Sequence, residues 1–135
     1  MAKESGLGWS TLGVDDAAGS LKDLRNDTTS FEFSTPRAVQ DTTGVDMSAM
    51  ERLLLLADFQ ITLSGVFNDA TDKSHLVFRT ISSTSVARSV SLGVSGQTLP
   101  NECVLTDYKM KRAASGELTW EVPGSLSDGT PQTWA

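Results

Sequence analysis

The sequence predicts a mostly antiparallel β domain with one helix between its strands, and three observations carry that reading. Seventeen Ser and fifteen Thr make up nearly a quarter of the 135 residues. With Val, Leu and Gly also frequent and no Lys/Glu/Ala blocks, this composition favours strands over helices. Apolar and polar residues alternate with period two in several separate segments, the mark of strands with one buried face. Apolar runs such as Leu53 to Leu56 and a modest net charge argue against disorder. The length suits one domain, large enough to fold without disulfides or a metal.

Taken in order, Trp9, Leu12 and Val14 alternate with polar positions as an opening strand, ended by the turn Asp15-Asp16-Ala17-Ala18-Gly19. Leu21 and Leu24 beside Asp23, Arg25 and Asn26 suggest a short helical turn. Phe31-Glu32-Phe33 reads as a strand closed by Ser34-Thr35-Pro36. From Arg37 to Ala57 the period is lost, and a polar, turn-rich stretch runs abruptly into Met50 and Leu53 to Leu56. That Leu run is either core or part of a long loop buried only against another subunit. The clearest strand is Phe59 to Phe67, with Phe59, Ile61, Leu63, Gly65 and Phe67 on one face. Either Asp69 or Asp72 caps a short helix reaching about Ile81, with Val77, Phe78 and Ile81 on one face, or Leu76-Val77-Phe78 is a strand. Three further strands follow: Val90, Leu92 and Val94; then Val104, Tyr108 and Met110; then Leu118, Trp120 and Val122. Ala113-Ala114-Ser115-Gly116 joins the last two as a hairpin.

Seventeen acidic residues against eleven basic ones give a formal charge of −6. That disfavours a protein gripping nucleic acid by its phosphates, yet not one past which DNA slides. No run of about 20 apolar residues spans a membrane, and Met1 to Ser10 lacks the apolar core of a signal peptide. The single cysteine, Cys103, reads as a small buried hydrophobe, and the single histidine, His75, sits beside Ser74 on one helix where neighbours do not face each other. Gly93-Val94-Ser95-Gly96 is one residue short of a nucleophile elbow. Asp69-Ala70-Thr71-Asp72 lacks the Gly and distal Glu of a calcium loop. No catalytic, cofactor or metal residue is assigned, and the chemistry points to a structural or binding protein. Trp120 belongs to the core; Trp134 either tucks back or anchors the tail on a neighbouring subunit.

The order and spacing of several segments resemble a known family. Asp41-Thr42-Thr43-Gly44-Val45-Asp46, Ala49-Met50-Glu51-Arg52-Leu53 and Leu63-Ser64-Gly65-Val66-Phe67-Asn68-Asp69 come before His75. Gly96-Gln97-Thr98-Leu99, Thr106-Asp107-Tyr108 and Arg112 to Trp120 follow it. The chain is similar in these to the major tail tube proteins of long-tailed, siphovirus-like bacteriophages, of the short single-domain kind seen in actinobacterial phages. The resemblance implies an antiparallel β-sandwich or partial barrel with one flanking helix, like the type VI secretion tube subunit. It also implies six-subunit rings, stacked into a tube whose bore conducts viral DNA during genome ejection. The subunit's partners are then other copies of itself, a tape-measure protein, a tail terminator and distal tail proteins. Its place is the virion tail, after synthesis in the bacterial cytoplasm; no cofactor and no membrane is involved.

Carried over, the single domain divides into N-terminal strands (1–33), a long inter-ring loop (34–57), a strand–helix–strand core (58–122) and a C-terminal arm (123–135). Inter-subunit contacts fall to Asp41, Val45, Met50, Leu53, Leu54, Leu55, Leu56 and Trp134. The inner sheet draws on 59–67, 88–95, 103–112 and 117–122. Gln60, Thr62, Ser64, Ser89, Ser91, Glu117, Thr119 and Glu121 then face the bore, and an acidic bore repels phosphates. The alternative is a carbohydrate- or ligand-binding β-sandwich, a receptor-binding or decoration domain, for which Trp9, Tyr108 and Trp134 are the scattered aromatic candidates.

Overall fold

The computed structural model describes residues 3–135; Met1 and Ala2, part of the polar N-terminal stretch, lie outside them. The strands are β1 (Thr11–Asp15), β2 (Leu21–Asp23), β3 (Thr28–Ser34), β4 (Arg37–Asp41), β5 (Arg52–Ala57) and β6 (Gln60–Val66). A one-turn helix, α1 (Ser74–Phe78), precedes β7 (Arg88–Val94), β8 (Gln97–Leu105), β9 (Lys109–Arg112) and β10 (Leu118–Leu126). Eight strands form one antiparallel sheet in the order β2-β1-β7-β8-β10-β6-β3, with β9 beside β10; β4 and β5 form a sheet of their own. The mainly β, antiparallel architecture is the expected one.

The large sheet curls without closing. On a flat sheet β1 and β3, five strand spacings apart in that order, would stand about 24 Å from each other. Instead Trp9, just before β1, packs edge-on against Phe31 of β3 with ring centroids 4.9 Å apart. The concave side holds the core: Leu12, Val14, Phe59, Ile61, Leu63, Val90, Leu92, Leu99, Cys103, Trp120 and Val122, plugged by Val77 and Phe78 of α1. Gly65 sits where it does because Trp120 crosses it. A Cβ there would lie 2.6 Å from the indole and 2.2 Å from the Asp27 carbonyl. The indole N–H donates to the Val66 carbonyl at 2.9 Å.

Several local expectations change. Leu21 to Asp23 is strand rather than helical turn, because its backbone pairs with β1 through Gly13↔Asp23 and Asp15↔Leu21. The region 103–112 is not one strand. Thr106 to Tyr108 interrupt it, turning Tyr108 inward onto Phe78, so β8 and β9 flank the same side of β10 in succession. The phase shifts with that break. Cys103 is fully buried, whereas Val104 lies outward opposite Ser125 and is 40% exposed. Ser95-Gly96 is the two-residue turn joining β7 to β8, with Val94 opposite Gln97. The Ala113–Gly116 hairpin forms as expected, the Ala113 N–H donating to Glu117 and Gly116 taking φ 96°.

Neither Asp69 nor Asp72 caps α1. Asp27, forty-seven residues away, accepts the Ser74 N–H at 2.9 Å and the Asn68 side-chain amide at 2.9 Å. A carboxylate at a helix start satisfies an orphan donor wherever it comes from in the chain. At the other end of α1 the buried Arg88 guanidinium donates to the Val77 carbonyl and to the Thr80 hydroxyl. Burial holds its pKa below the ordinary arginine value.

Candidate functional site

Two surfaces stand out, and neither is a catalytic pocket. The first is the outward face of the β3-β6-β10-β9 segment, where antiparallel pairing sets side chains in rows. Ser34, Gln60 and Ser125 form one row; Glu32, Thr62 and Pro123 the next; then Ser30, Ser64, Glu121 and Lys109. Thr119 stands beside Val66 and Lys111. Of the eight residues expected to line a bore, Gln60, Thr62, Ser64, Thr119 and Glu121 lie together on this face. Glu117 sits in the turn before β10, its carboxylate accepting the Ser115 hydroxyl at 3.0 Å. Ser89 and Ser91 also point away from the core, but on β7, beyond β8; Ser89 donates to Glu102 at 2.8 Å. The charges on the four-strand face are mixed, Glu32 and Glu121 against Lys109 and Lys111. The protein's acidity is therefore not gathered on it.

The second surface is the β4–β5 hairpin. Within the stretch 34–57, expected as a long loop, Arg37–Asp41 and Arg52–Ala57 pair as strands around a connecting loop over 42–51, with Val39↔Leu54 and Asp41↔Arg52 in register. The hairpin forms no backbone ladder with the large sheet. Opposed residues share a face, so Leu54 lies on one side with Val39 and Leu53 on the other with Gln40. The Leu run is not core: Leu53, Leu54, Leu55 and Leu56 are 55%, 62%, 43% and 86% exposed, with Val45, Met47 and Met50 also open to solvent. Such a contiguous exposed apolar patch is unusual for a soluble monomer. At the tip Asp41 accepts the Thr43 N–H at 2.9 Å, a bond that holds its pKa below the usual carboxylate value. Thr43 accepts the Glu51 N–H at 2.7 Å. The Arg37 guanidinium ties the base to the Leu55 carbonyl.

Trp9 and Trp134 are not scattered. A row of rings runs Trp9, Phe31, Phe33, Trp134, with centroids 4.9, 6.3 and 6.2 Å apart. It borders a groove of about 590 Å³ along the open side of the sheet. The tail folds back, Ala135 and Thr98 exchanging both backbone hydrogen bonds, while Trp134 stays 43% exposed. Residues 123–126, assigned to a C-terminal arm, belong to β10. His75 packs on Phe67 and meets the Tyr108 hydroxyl at 3.2 Å, and it forms no ion pair among the described residues. Burial pushes the Cys103 thiol up to about 12, which keeps it unreactive at neutral pH. Asp27 and Arg88 are the structural polar residues that sequence reading missed. Asp27's only sequence signal, Asn26-Asp27-Thr28, looks like a glycosylation acceptor.

No protein-family model matches the chain, and no curated protein matches it. Solved structures do. A chain in the virion of a native gene transfer agent particle is 15% identical, with a TM-score of 0.71 over 98% of this chain and 99% of that one. A chain in the tail of an empty gene transfer agent particle, refined with C6 symmetry, is 18% identical, with a TM-score of 0.73 over the same shares. The two share this chain's fold.

Proposed function

We propose that the protein is the structural subunit of a phage-type tail tube, assembling into six-fold rings that stack into a hollow tube. The observation that carries this reading is the β4–β5 hairpin, apolar on both sides and uncovered in the monomer. An isolated two-stranded hairpin is marginal in water, so this one requires a neighbouring copy on each side. The fold shared with a chain in a particle tail refined with C6 symmetry supports the same conclusion. Asp41, Val45, Met50 and Leu53 to Leu56 are then contacts between rings, with Trp134 at the edge of a second contact.

The bore is lined by the outward face of β3, β6, β10 and β9, with Gln60, Thr62, Ser64, Thr119 and Glu121 facing the water. Six copies at −6 give a ring a formal −36, most of it off this lining. DNA passing through meets hydroxyls, amides and charges of both signs, and finds no basic track to hold its phosphates. A tape-measure protein fills the bore before ejection, and terminator and distal proteins close the ends. The siphovirus-like tail is the proposed setting.

Negative-stain electron microscopy of the purified protein over a concentration series tests the reading. Stacked rings or hollow tubes are expected. Particles of monomer size at every concentration would overturn it. The aromatic-bordered groove beside Trp9 and Phe31 would then favour a ligand-binding sandwich, and a glycan-binding screen would follow.

A further inference from the structure

The tube reading leaves open which strands meet where one subunit ends and the next begins. β3 is hydrogen-bonded only to β6, and β9 only to β10, so each offers a free row of backbone N–H and C=O groups among the described residues. These edges close the two sides of one four-strand segment. Its three pairings are all antiparallel, so β9 runs opposite to β3. Rotation about an axis along the strands preserves that direction, and β9 of one copy therefore meets β3 of the next in antiparallel sense.

The charges on the two edges differ in sign. β9 carries Lys109, Lys111 and Arg112 within four residues. β3 carries one charged residue, Glu32. Lys109 reaches Glu121 at 3.8 Å, while Lys111 and Arg112 make no ion pair among the described residues. Lys111, opposite Thr119, and Glu32, opposite Thr62, point to the same outward face.

Resting on the tube reading, we infer that the subunit seam is the β9 edge of one copy paired with the β3 edge of the next, with Lys109 and Lys111 set against Glu32. The charges also select the partner. On the outward face two β9 edges would oppose Lys109 and Lys111 to their own copies, and two β3 edges would oppose Glu32 to Glu32. Both self-pairings cost energy, so the favoured contact joins unlike edges. A contact between unlike surfaces repeats head to tail rather than stopping at a dimer, and it makes a ring where the rotation closes. The same exposed charges protect the free edges from indiscriminate pairing before assembly.

The test compares wild type, Lys111→Glu, Glu32→Lys, and the combination of the two, by sedimentation velocity and negative-stain microscopy. These positions are exposed and make no internal ion pair, and circular dichroism melts confirm that each variant folds. Each half-reversal is expected to raise the concentration needed for assembly at least tenfold, and the combination to bring it back to the wild-type range. Assembly of either half-reversed variant at the wild-type concentration overturns the seam while leaving the tube intact. So does a folded combination that fails to recover. A wild type that stays monomeric throughout overturns the tube reading, and the seam with it.

Discussion

β5 and β6 follow one another with only Asp58 and Phe59 between them, yet they lead opposite lives. β6 alternates, burying Ile61, Leu63 and Gly65 and turning Gln60, Thr62 and Ser64 outward. β5 has the more apolar sequence, four leucines in succession, and none of them is buried. Apolar content thus does not decide burial; phase does. A strand with period two needs one apolar partner, and the curled sheet supplies it. A strand with leucine on both sides needs two, and the chain supplies neither. The difference separates what holds this protein together from what it has left to offer a neighbour.

The largest expected effect falls on the sheet side of that contrast. Trp120→Ala removes the side chain that spans Gly65 and Phe78, and it should cost about 3–5 kcal/mol in urea unfolding. A loss below about 1 kcal/mol would mean that the core is organised around something else. Asp27→Ala comes next. It leaves the Ser74 N–H without its acceptor in a buried site, and about 1–3 kcal/mol of stability should go with it. Amide exchange should be faster across α1 than across β7 in that variant.

On the hairpin side, Leu54→Ser with Leu56→Ser should change monomer unfolding by no more than about 0.5 kcal/mol, since both residues are exposed. The same variant should lose stacked assembly under the microscope. A clear drop in monomer stability would show that the hairpin packs on its own sheet after all. The smallest effect concerns pH. Asp41 is an acid held below its ordinary value of 3.8 by the Thr43 N–H. The order it adds to the hairpin tip is complete above that value and fades as pH falls through the lower folded one. Thr43 amide exchange should quicken below about pH 3.8 relative to the β6 amides, and Asp41→Asn should flatten that dependence.

Much of the large sheet was legible because its strands obey local rules. Phe59 to Phe67, the Val90 strand and Trp120 with Val122 declare their inward faces by alternation, and the gathering of Gln60, Thr62, Ser64, Thr119 and Glu121 on one outward face follows from the same phase. Leu21 to Asp23 was misread because three residues carry no period, and only the ladder to β1 makes them strand. Val104 was misphased because the break at Thr106–Tyr108 cannot be seen without its tertiary cause, the inward turn of Tyr108 onto Phe78.

The sequence by itself determined the fold class, the register-bearing strands, the buried Cys103, and the stretch from Arg37 to Ala57 as the place where ordinary patterning stops. Only the tertiary structure decided that this stretch is a projecting hairpin, that Asp27 caps a helix 47 residues away, and that the free edges of β3 and β9 bound one polar face. The reason is physical. Alternation and turn chemistry act between neighbours in the chain and leave their trace in local order. Strand pairing, remote capping and unsatisfied edges depend on which segments meet across the fold, and no local pattern records that.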